Sequence, residues 1–140
     1  MNSLKKRFAV DLEAANDGIW FDIGDGVELK IARSNNKNFK KLAWEKVQKE
    51  KIKRVSKNGV FTAEEEDEVL ADLVAETVLL DWKGIADDNG EPFEYSKERA
   101  KEMLLDPEMV EFAELIDRLA SSEENFRKEF LAQAAQDAGE

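Results

Sequence analysis

The sequence predicts a mainly α-helical fold, a helical domain with a short N-terminal β-hairpin. Apolar residues recur at spacings of three and four over most of the second half of the chain, which is typical of amphipathic helices. Near the N-terminus, two β-prone runs flank the turn sequence Gly24-Asp25-Gly26, which is typical of a hairpin. A length of 140 residues suits one domain. We divide it into an N-terminal arm at 1–17, a hairpin at 18–34, a helical body at 35–131 and a flexible C-terminal tail at 132–140.

The hairpin prediction rests on alternation and on turn chemistry. Ile19-Trp20-Phe21-Asp22-Ile23 is rich in β-prone side chains, and residues 27–33 alternate apolar with polar for most of their length, as a half-buried strand does. Glycine tolerates positive φ and aspartate hydrogen-bonds its own backbone, so the residues between the two runs favour a turn. Because an isolated hairpin is marginal in water, we expect its apolar face to pack on a helix.

A first long helix is predicted from about Asn38 to Val55. Ser34-Asn35-Asn36 can cap its start, and Ser56-Lys57-Asn58-Gly59 is typical of a helix end. Lys and Glu fill most positions between its apolar residues, which are Phe39, Leu42, Ala43, Trp44, Val47, Ile52 and Val55.

A second helix begins at a capping box, in which the Thr62 hydroxyl is followed three residues later by Glu65. The acidic run at 64–68 then lies in the first turns, where the helix dipole favours anions, and we interpret it as capping and solvation rather than as a metal site. One wide apolar face follows and should form the centre of the core: Val69, Leu70, Leu73, Val74, Thr77 and Leu80.

The next segment breaks the helical period at residues 81–85 and turns at Asp87-Asp88-Asn89-Gly90. That loop has the composition of a calcium loop, but Ala86 or Pro92 falls where an EF-hand requires glycine, so we interpret it as a turn. Ser96 can cap a short helix through Leu105.

The last helices follow Asp106, a capping residue with Pro107 at the first helical position. Residues 121–124 can restart or continue this helix, and the small, polar residues 132–140 should fray. The apolar stripe of the region comprises Met109, Phe112, Ala113, Ile116 and Leu119, and then Phe126, Phe130 and Leu131.

Charge divides the chain. Residues 1–60 carry 14 Lys/Arg against 8 Asp/Glu, whereas the rest carry 7 against 24, and the whole chain has a net charge of −11. Such asymmetry points either to nucleic-acid binding through the basic region at 37–57 or to attraction between the halves, within one fold or head to tail between copies. The region has no zinc-finger, RNP or bZIP pattern, and the whole chain would repel a polyanion, so we do not favour nucleic acid.

Composition also limits the chemistry. The chain has no Cys and no His, which excludes disulfides, thiol nucleophiles and the Cys- and His-based catalytic and zinc sites. No phosphate-loop motif is present, and no pair of carboxylates stands out among the 32 acidic residues, so we expect no enzyme activity and no cofactor.

No apolar run is long enough for a membrane span or a signal peptide, and we expect the protein to stay where it is made. Five aromatic residues should fill the core or, alternatively, form a partner groove: Trp20, Phe39, Trp44, Phe61 and Trp82.

Two segments, taken in order and spacing, resemble the tail assembly chaperones of long-tailed siphophages and prophages. The first runs from Gly18-Ile19-Trp20-Phe21-Asp22 through Ile31-Ala32-Arg33-Ser34-Asn35-Asn36. The second contains Asp81-Trp82-Lys83-Gly84, Phe93-Glu94-Tyr95-Ser96, Asp106-Pro107 and Asn125-Phe126-Arg127. The resemblance covers about Gly18 to Arg127.

The resemblance implies a non-enzymatic protein of the bacterial host cytoplasm that is absent from the mature virion. Such chaperones bind the long helical tape measure protein, keep it soluble and help to recruit tail tube protein, in many cases through a frameshift-extended form. The basic and acidic parts could also drive self-association into open arrays. A structural tail or head-tail connector protein is the closest alternative. We expect the partner-binding residues to be Trp82, Phe93, Met109, Phe112 and Ile116, each of which could equally belong to the core.

Overall fold

The structure, a computed structural model of the chain, describes residues 3–54 and 62–138. In chain order, its elements are α1 (Leu4–Phe8), α2 (Leu12–Asp17), β1 (Ile19–Gly24), β2 (Val27–Ile31), α3 (Lys37–Arg54), α4 (Ala63–Thr77), β3 (Leu79–Lys83), α5 (Lys97–Leu105), α6 (Val110–Ser121) and α7 (Lys128–Ala138). Two 3₁₀ turns, Pro107–Met109 and Glu123–Phe126, precede α6 and α7. The predicted fold class, mainly α with an N-terminal hairpin, is confirmed.

The hairpin forms as the sequence predicts. β1 pairs antiparallel with β2, with Phe21 opposite Leu29. Asp25 and Gly26 form the two-residue turn with φ values of 56° and 78°. Two consecutive positive φ angles are those of a type I′ turn, whose twist matches that of the strands it joins.

A third strand was not predicted. β3 pairs antiparallel with the other edge of β2 and places Trp82 opposite Leu29, so β2 becomes the central strand. We interpreted residues 81–85 only as a break in the helical period. The register of β3 shifts between Lys30 and Ile31, and its buried residues are Leu79 and Trp82, three positions apart. The period-2 alternation that marks a strand is therefore absent.

The predicted helix starts are confirmed by capping hydrogen bonds. The Asn36 side chain accepts from the Phe39 amide at 2.9 Å, Thr62 and Glu65 form the reciprocal capping box, and the Ser96 hydroxyl accepts from Arg99. Asp106 also caps, but the turn after Pro107 is 3₁₀ and α6 begins at Val110. Our predictions for Val55 and for the helix end at 56–59 lie outside the described residues.

Helical structure extends further toward both chain ends than we predicted. The arm contains α1 and α2, which have too few turns to show a period in the sequence. The amide of Asp11 donates to the carbonyl of Phe126, and the amide of Lys128 donates to the carbonyl of Ala9, so the arm pairs with the segment before α7. The segment predicted to fray from residue 132 is helical as far as Ala138, although its side chains are exposed.

The core lies where the sheet meets α4, α5 and α6. Its central side chains are fully or almost fully buried: Leu29, Ile31, Val78, Leu79, Trp82, Ala100 and Ile116. Phe126 is also fully buried and lies edge-on to Phe21 at 6.4 Å, which closes the sheet near the arm. The hairpin thus packs on helices, as expected because an isolated hairpin is only marginally stable in water.

Candidate partner-binding groove

An apolar groove of about 560 Å³ separates α4 from α6. Its floor consists of Ala71 and Val74 from α4, of Val78, the residue that follows α4, and of Ala113, Ile116 and Ala120 from α6. Phe39, Leu105 and Pro107 also line it. We call this space the groove.

The sequence produces this space through small side chains on facing helices. Ala71, Ala113 and Ala120 lie where larger apolar residues would fill the gap between α4 and α6. Both helices are fixed separately, since α4 packs on α5 and α6 packs on β2. They do not collapse onto each other, so the groove stays open to solvent.

Large apolar side chains remain exposed along the rim of the groove. Leu70 on α4 is 54% exposed and Val110 at the start of α6 is 55% exposed, while Leu105 is exposed to a smaller degree. An exposed apolar residue alone is ordinary, but several around one concave apolar surface are typical of interaction sites. The groove is therefore the strongest candidate for a binding site.

The groove is also acidic. Asp67, Asp106 and Asp117 line it, and none of the described lining residues is a cation. The Asp106 carboxylate already accepts a hydrogen bond from the amide of Glu108. Within residues 3–54 and 62–138, Asp67 and Asp117 take part in no ion pair. A ligand with both apolar and cationic groups would complement this surface.

Another carboxylate of α4 lies outside the groove. Asp72 forms ion pairs with Lys46 of α3, at 3.5 Å, and with Lys101 of α5, at 3.0 Å. The hydrogen bond to Asp72 raises the pKa of Lys101. This carboxylate is used to join three helices, whereas Asp67 is not.

Trp82 is not the exposed aromatic residue that we expected. It is 4% exposed, and its indole Nε1 donates a hydrogen bond to the carbonyl oxygen of Phe93 at 2.7 Å. Its ring stacks on the Phe93 ring at 5.7 Å and meets the Tyr95 ring edge-on at 5.0 Å. Phe93 is half-buried, and its outer face is covered by the Arg99 guanidinium at 4.7 Å. Pairing with β2 carries Trp82 into the core, so a partner could contact it only if this cluster opened.

The other expected binding residues lie on or next to α6. Ile116 is buried and forms part of the groove floor. Phe112 is half-buried and packs against the core, and Met109 is half-buried in the turn before α6. The structure thus divides the five predicted residues between two places, and only Ile116 lines the groove.

The rim residues were missed, although the sequence held a signal for them. Val110 lies beside Met109 and off the predicted stripe, and the apolar face of α4 is wider than one contact surface requires. Such excess apolar width can indicate a second surface on the same helix. Trp44, for which we predicted either the core or a partner groove, is 66% exposed and so lies outside the core. Phe61 lies outside the described residues.

The motifs of the family resemblance have structural roles here. Asn36 is buried, and its amide nitrogen donates to the carbonyl oxygens of Arg33 and Thr77. Asn35 adopts a left-handed φ of 56°, which asparagine tolerates. Gly84 has a φ of 76°, and a Cβ atom there would lie 2.1 Å from the carbonyl oxygen of Gly26. These residues shape the backbone and do not form a chemical site.

Tyr95 has the one strongly perturbed pKa among the described residues. Burial, followed by the nearby charges of Asp81, Glu98 and Glu76, raises its pKa to about 12. Its hydroxyl lies 2.8 Å from the carbonyl oxygen of Leu79 and 3.0 Å from that of Ala75. The phenol therefore stays protonated as a hydrogen-bond donor that ties the segment before α5 to α4 and β3.

Residues 3–54 and 62–138 contain neither a candidate metal cluster nor a candidate membrane span. No group of three or more acidic side chains there has a geometry that could hold a metal ion. No helix in this part of the chain is long and apolar enough to cross a membrane.

Comparison with known proteins gives one match. The model of the family described as YdaY prophage protein matches residues 29–137, which is more than three quarters of the chain. The match begins in β2 and ends in α7, so it includes both walls of the groove. Neither a curated protein nor a solved structure matches the chain.

Proposed function

We propose a function from the premise that the chain belongs to the YdaY prophage protein family. The protein acts as a tail assembly chaperone of its prophage. It binds the tape measure protein and keeps it soluble until tail tube protein assembles around it. The family membership supports a role in a phage, and the resemblance described above supports the more specific role in tail assembly.

The observation that carries this proposal is the groove with its exposed apolar rim. An amphipathic helix is recognised when its apolar face enters such a groove, with anchor residues at i, i+3, i+4 and i+7. Leu70 and Val110 would contact the edges of the bound helix, and the half-buried Val74 and Ala113 of the floor would contact its apolar centre. Asp67 and Asp117 would attract basic residues beside that apolar face.

The surface charge suits a protein that holds an aggregation-prone partner. A long amphipathic helix exposes a continuous apolar face until it is enclosed, and it would aggregate through that face. A net charge of −11 on 140 residues opposes aggregation of the complex. Many copies bound along one long partner would add weak contacts into strong overall binding.

The further parts of the proposal concern partners and location. The chaperone acts in the cytoplasm of the bacterial host, recruits tail tube protein and leaves before the virion is complete. No membrane and no cofactor take part. A structural tail or head-tail connector protein would instead remain in the particle, and that difference separates the two functions.

The test is co-expression of the full chain with the long helical protein encoded near it in the prophage. We expect this partner to become soluble and to copurify with several copies of the chain. Leu70→Glu should abolish both effects, because it places a charge on the groove rim. Leu12→Glu, at an exposed leucine of α2, is the matched control and should have no effect. An insoluble, unbound partner would contradict the chaperone function, and copies of the chain in purified particles would favour the structural alternative.

A further inference from the structure

We propose that the groove of one copy binds the outward face of α3 from a second copy, so that the protein assembles head to tail. The donor surface is defined by Trp44 and Val47, with Lys40 and Lys41 beside them. The acceptor surface is the groove. The contact involves only this chain and does not depend on the proposed client.

The outward face of α3 exposes two large apolar side chains. Trp44 is 66% exposed and Val47 is 50% exposed. They are three residues apart, so they lie on the same side of the helix. Tryptophan is highly buried on average, and an indole that lies two thirds in water beside a valine is typical of the centre of an interface.

Charge favours the groove as the acceptor. Lys40 and Lys41 are exposed, lie one turn before Trp44, and form no ion pair within the described ranges of the chain. The groove carries Asp67 and Asp117, which are equally without ion pairs there. Apolar groups at Leu70 and Val110 adjoin these carboxylates, as apolar groups adjoin the lysines on α3. The two surfaces therefore complement each other in both apolar character and charge.

The same molecule cannot make this contact with itself. Its α3 packs on α4 through the opposite side, where Phe39 reaches the groove and Lys46 pairs with Asp72. Trp44 follows Phe39 by five residues, which turns it about 140° around the helix axis and away from the groove. Donor and acceptor are thus different surfaces of one chain. A contact between different surfaces is heterologous and extends into an open array unless it closes into a ring.

Competition with a client follows, and this clause alone rests on the proposed function. If the groove also takes the tape measure helix, then client binding and self-association exclude each other at that site. Client binding would therefore dissociate the array, and each copy would then be bound to the client. If the client did not bind, the self-association proposal would still stand, because the following experiment uses the chain alone.

The experiment is sedimentation velocity of the full chain over a wide concentration range, at low and high salt. We expect the wild type to grow with concentration and to dissociate as salt rises, since salt screens the lysine–aspartate attraction. Trp44→Glu removes the donor and Leu70→Glu disrupts the acceptor. Each should weaken association about 30-fold or more, as the loss of a central interface residue does. Leu12→Glu adds the same charge at another exposed leucine and should assemble like the wild type.

Mixing the two variants gives the decisive result. Trp44→Glu keeps an intact groove and Leu70→Glu keeps an intact α3 face, so an equimolar mixture should form a one-to-one complex that grows no further. Val47→Glu and Val110→Glu provide a second donor variant and a second acceptor variant if either first choice loses its helical circular dichroism. The proposal would be overturned if the wild type were monomeric at every concentration or if Leu70→Glu still associated. It would also be overturned if Leu12→Glu lost association to the same degree as the donor and acceptor variants.

Discussion

The indole Nε1 of Trp82 donates a 2.7 Å hydrogen bond to the carbonyl oxygen of Phe93, and the two rings stack at 5.7 Å. This pair joins the last strand of the sheet to the segment that leads into α5. Because this hydrogen bond is partly buried, water replaces a lost donor only incompletely, so the contact stabilises the fold through both its hydrogen bond and its buried area.

Trp82→Phe should lower the free energy of unfolding by about 1–3 kcal/mol, because it keeps most of the apolar ring but leaves the Phe93 carbonyl without its donor. Trp82→Ala should cost about 3–5 kcal/mol, since it also creates a cavity. Urea denaturation followed by circular dichroism measures both. Trp44→Phe is the control, and it should have little effect because the Trp44 side chain is mostly in water. Equal losses at the two positions would contradict the structural role of Trp82.

Alanine substitutions at Gly84 and Gly90 together test how closely Gly84, which follows β3, approaches Gly26 of the hairpin turn. Both have positive φ, 76° and 79°, so alanine at either position should cost about 1–2 kcal/mol from backbone strain. At Gly84 the new Cβ would also lie 2.1 Å from the carbonyl oxygen of Gly26, whereas no atom lies within 4 Å of the corresponding position at Gly90. Gly84→Ala should therefore lower the melting temperature clearly more than Gly90→Ala. Similar melting temperatures would show that the hairpin turn and β3 are farther apart.

Tyr95 makes the stability of the fold sensitive to alkaline pH. Its pKa is about 12 in the folded chain and about 10 in an unfolded one. As the pH rises from 10 to 12, the unfolded chain loses this proton first, so the folded state binds more protons and stability falls. Below pH 10 the contribution is fully present. Tyr95→Phe should remove this part of the alkaline decline while costing about 0.5–1.5 kcal/mol at neutral pH through the lost hydrogen bond.

The chain has a single tyrosine, so its phenolate absorbance reports Tyr95 directly. The spectrophotometric midpoint should lie near pH 12 in the folded protein and near pH 10 in urea. A folded-state midpoint near 10 would mean that the hydroxyl is free in water and does not contact the carbonyl oxygens of Ala75 and Leu79.

Local features of this fold could be predicted from the sequence, and contacts between distant segments could not. Thr62, Ser96 and Asp106 cap helices through hydrogen bonds to amides two or three residues later, so their role is visible in a short stretch of sequence. β3 depends on pairing with β2, about 50 residues earlier, and a register shift removes its alternation. No local pattern records such a pairing.

The same difference between local patterns and distant contacts applies to the groove. The excess apolar width of α4 is visible in the sequence, but which residues remain exposed depends on the separation of α4 from α6. That separation is set by packing on α5 and β2. The exposure of Trp44 was not predicted for a related reason, since helical spacing predicts a face and not how many neighbours cover it. α3 packs mainly on α4, and none of its described side chains, those of residues 37–49, is buried.

Asp72 and Asp67 both lie on α4 but differ in their ion pairs. Asp72 pairs with Lys46 and Lys101 and so links α4 to α3 and α5. All three side chains are partly exposed, so the pairs are screened by water, and Asp72→Asn should cost only about 0.5–1 kcal/mol in total. Asp67→Asn removes a carboxylate that is not engaged in an ion pair among the described residues, and it should leave the free energy of unfolding nearly unchanged. Urea denaturation at low and high salt measures both, and the loss in Asp72→Asn should shrink at high salt. A larger loss for Asp67→Asn would show that this carboxylate stabilises the fold, and it would then no longer be free to attract a basic partner into the groove.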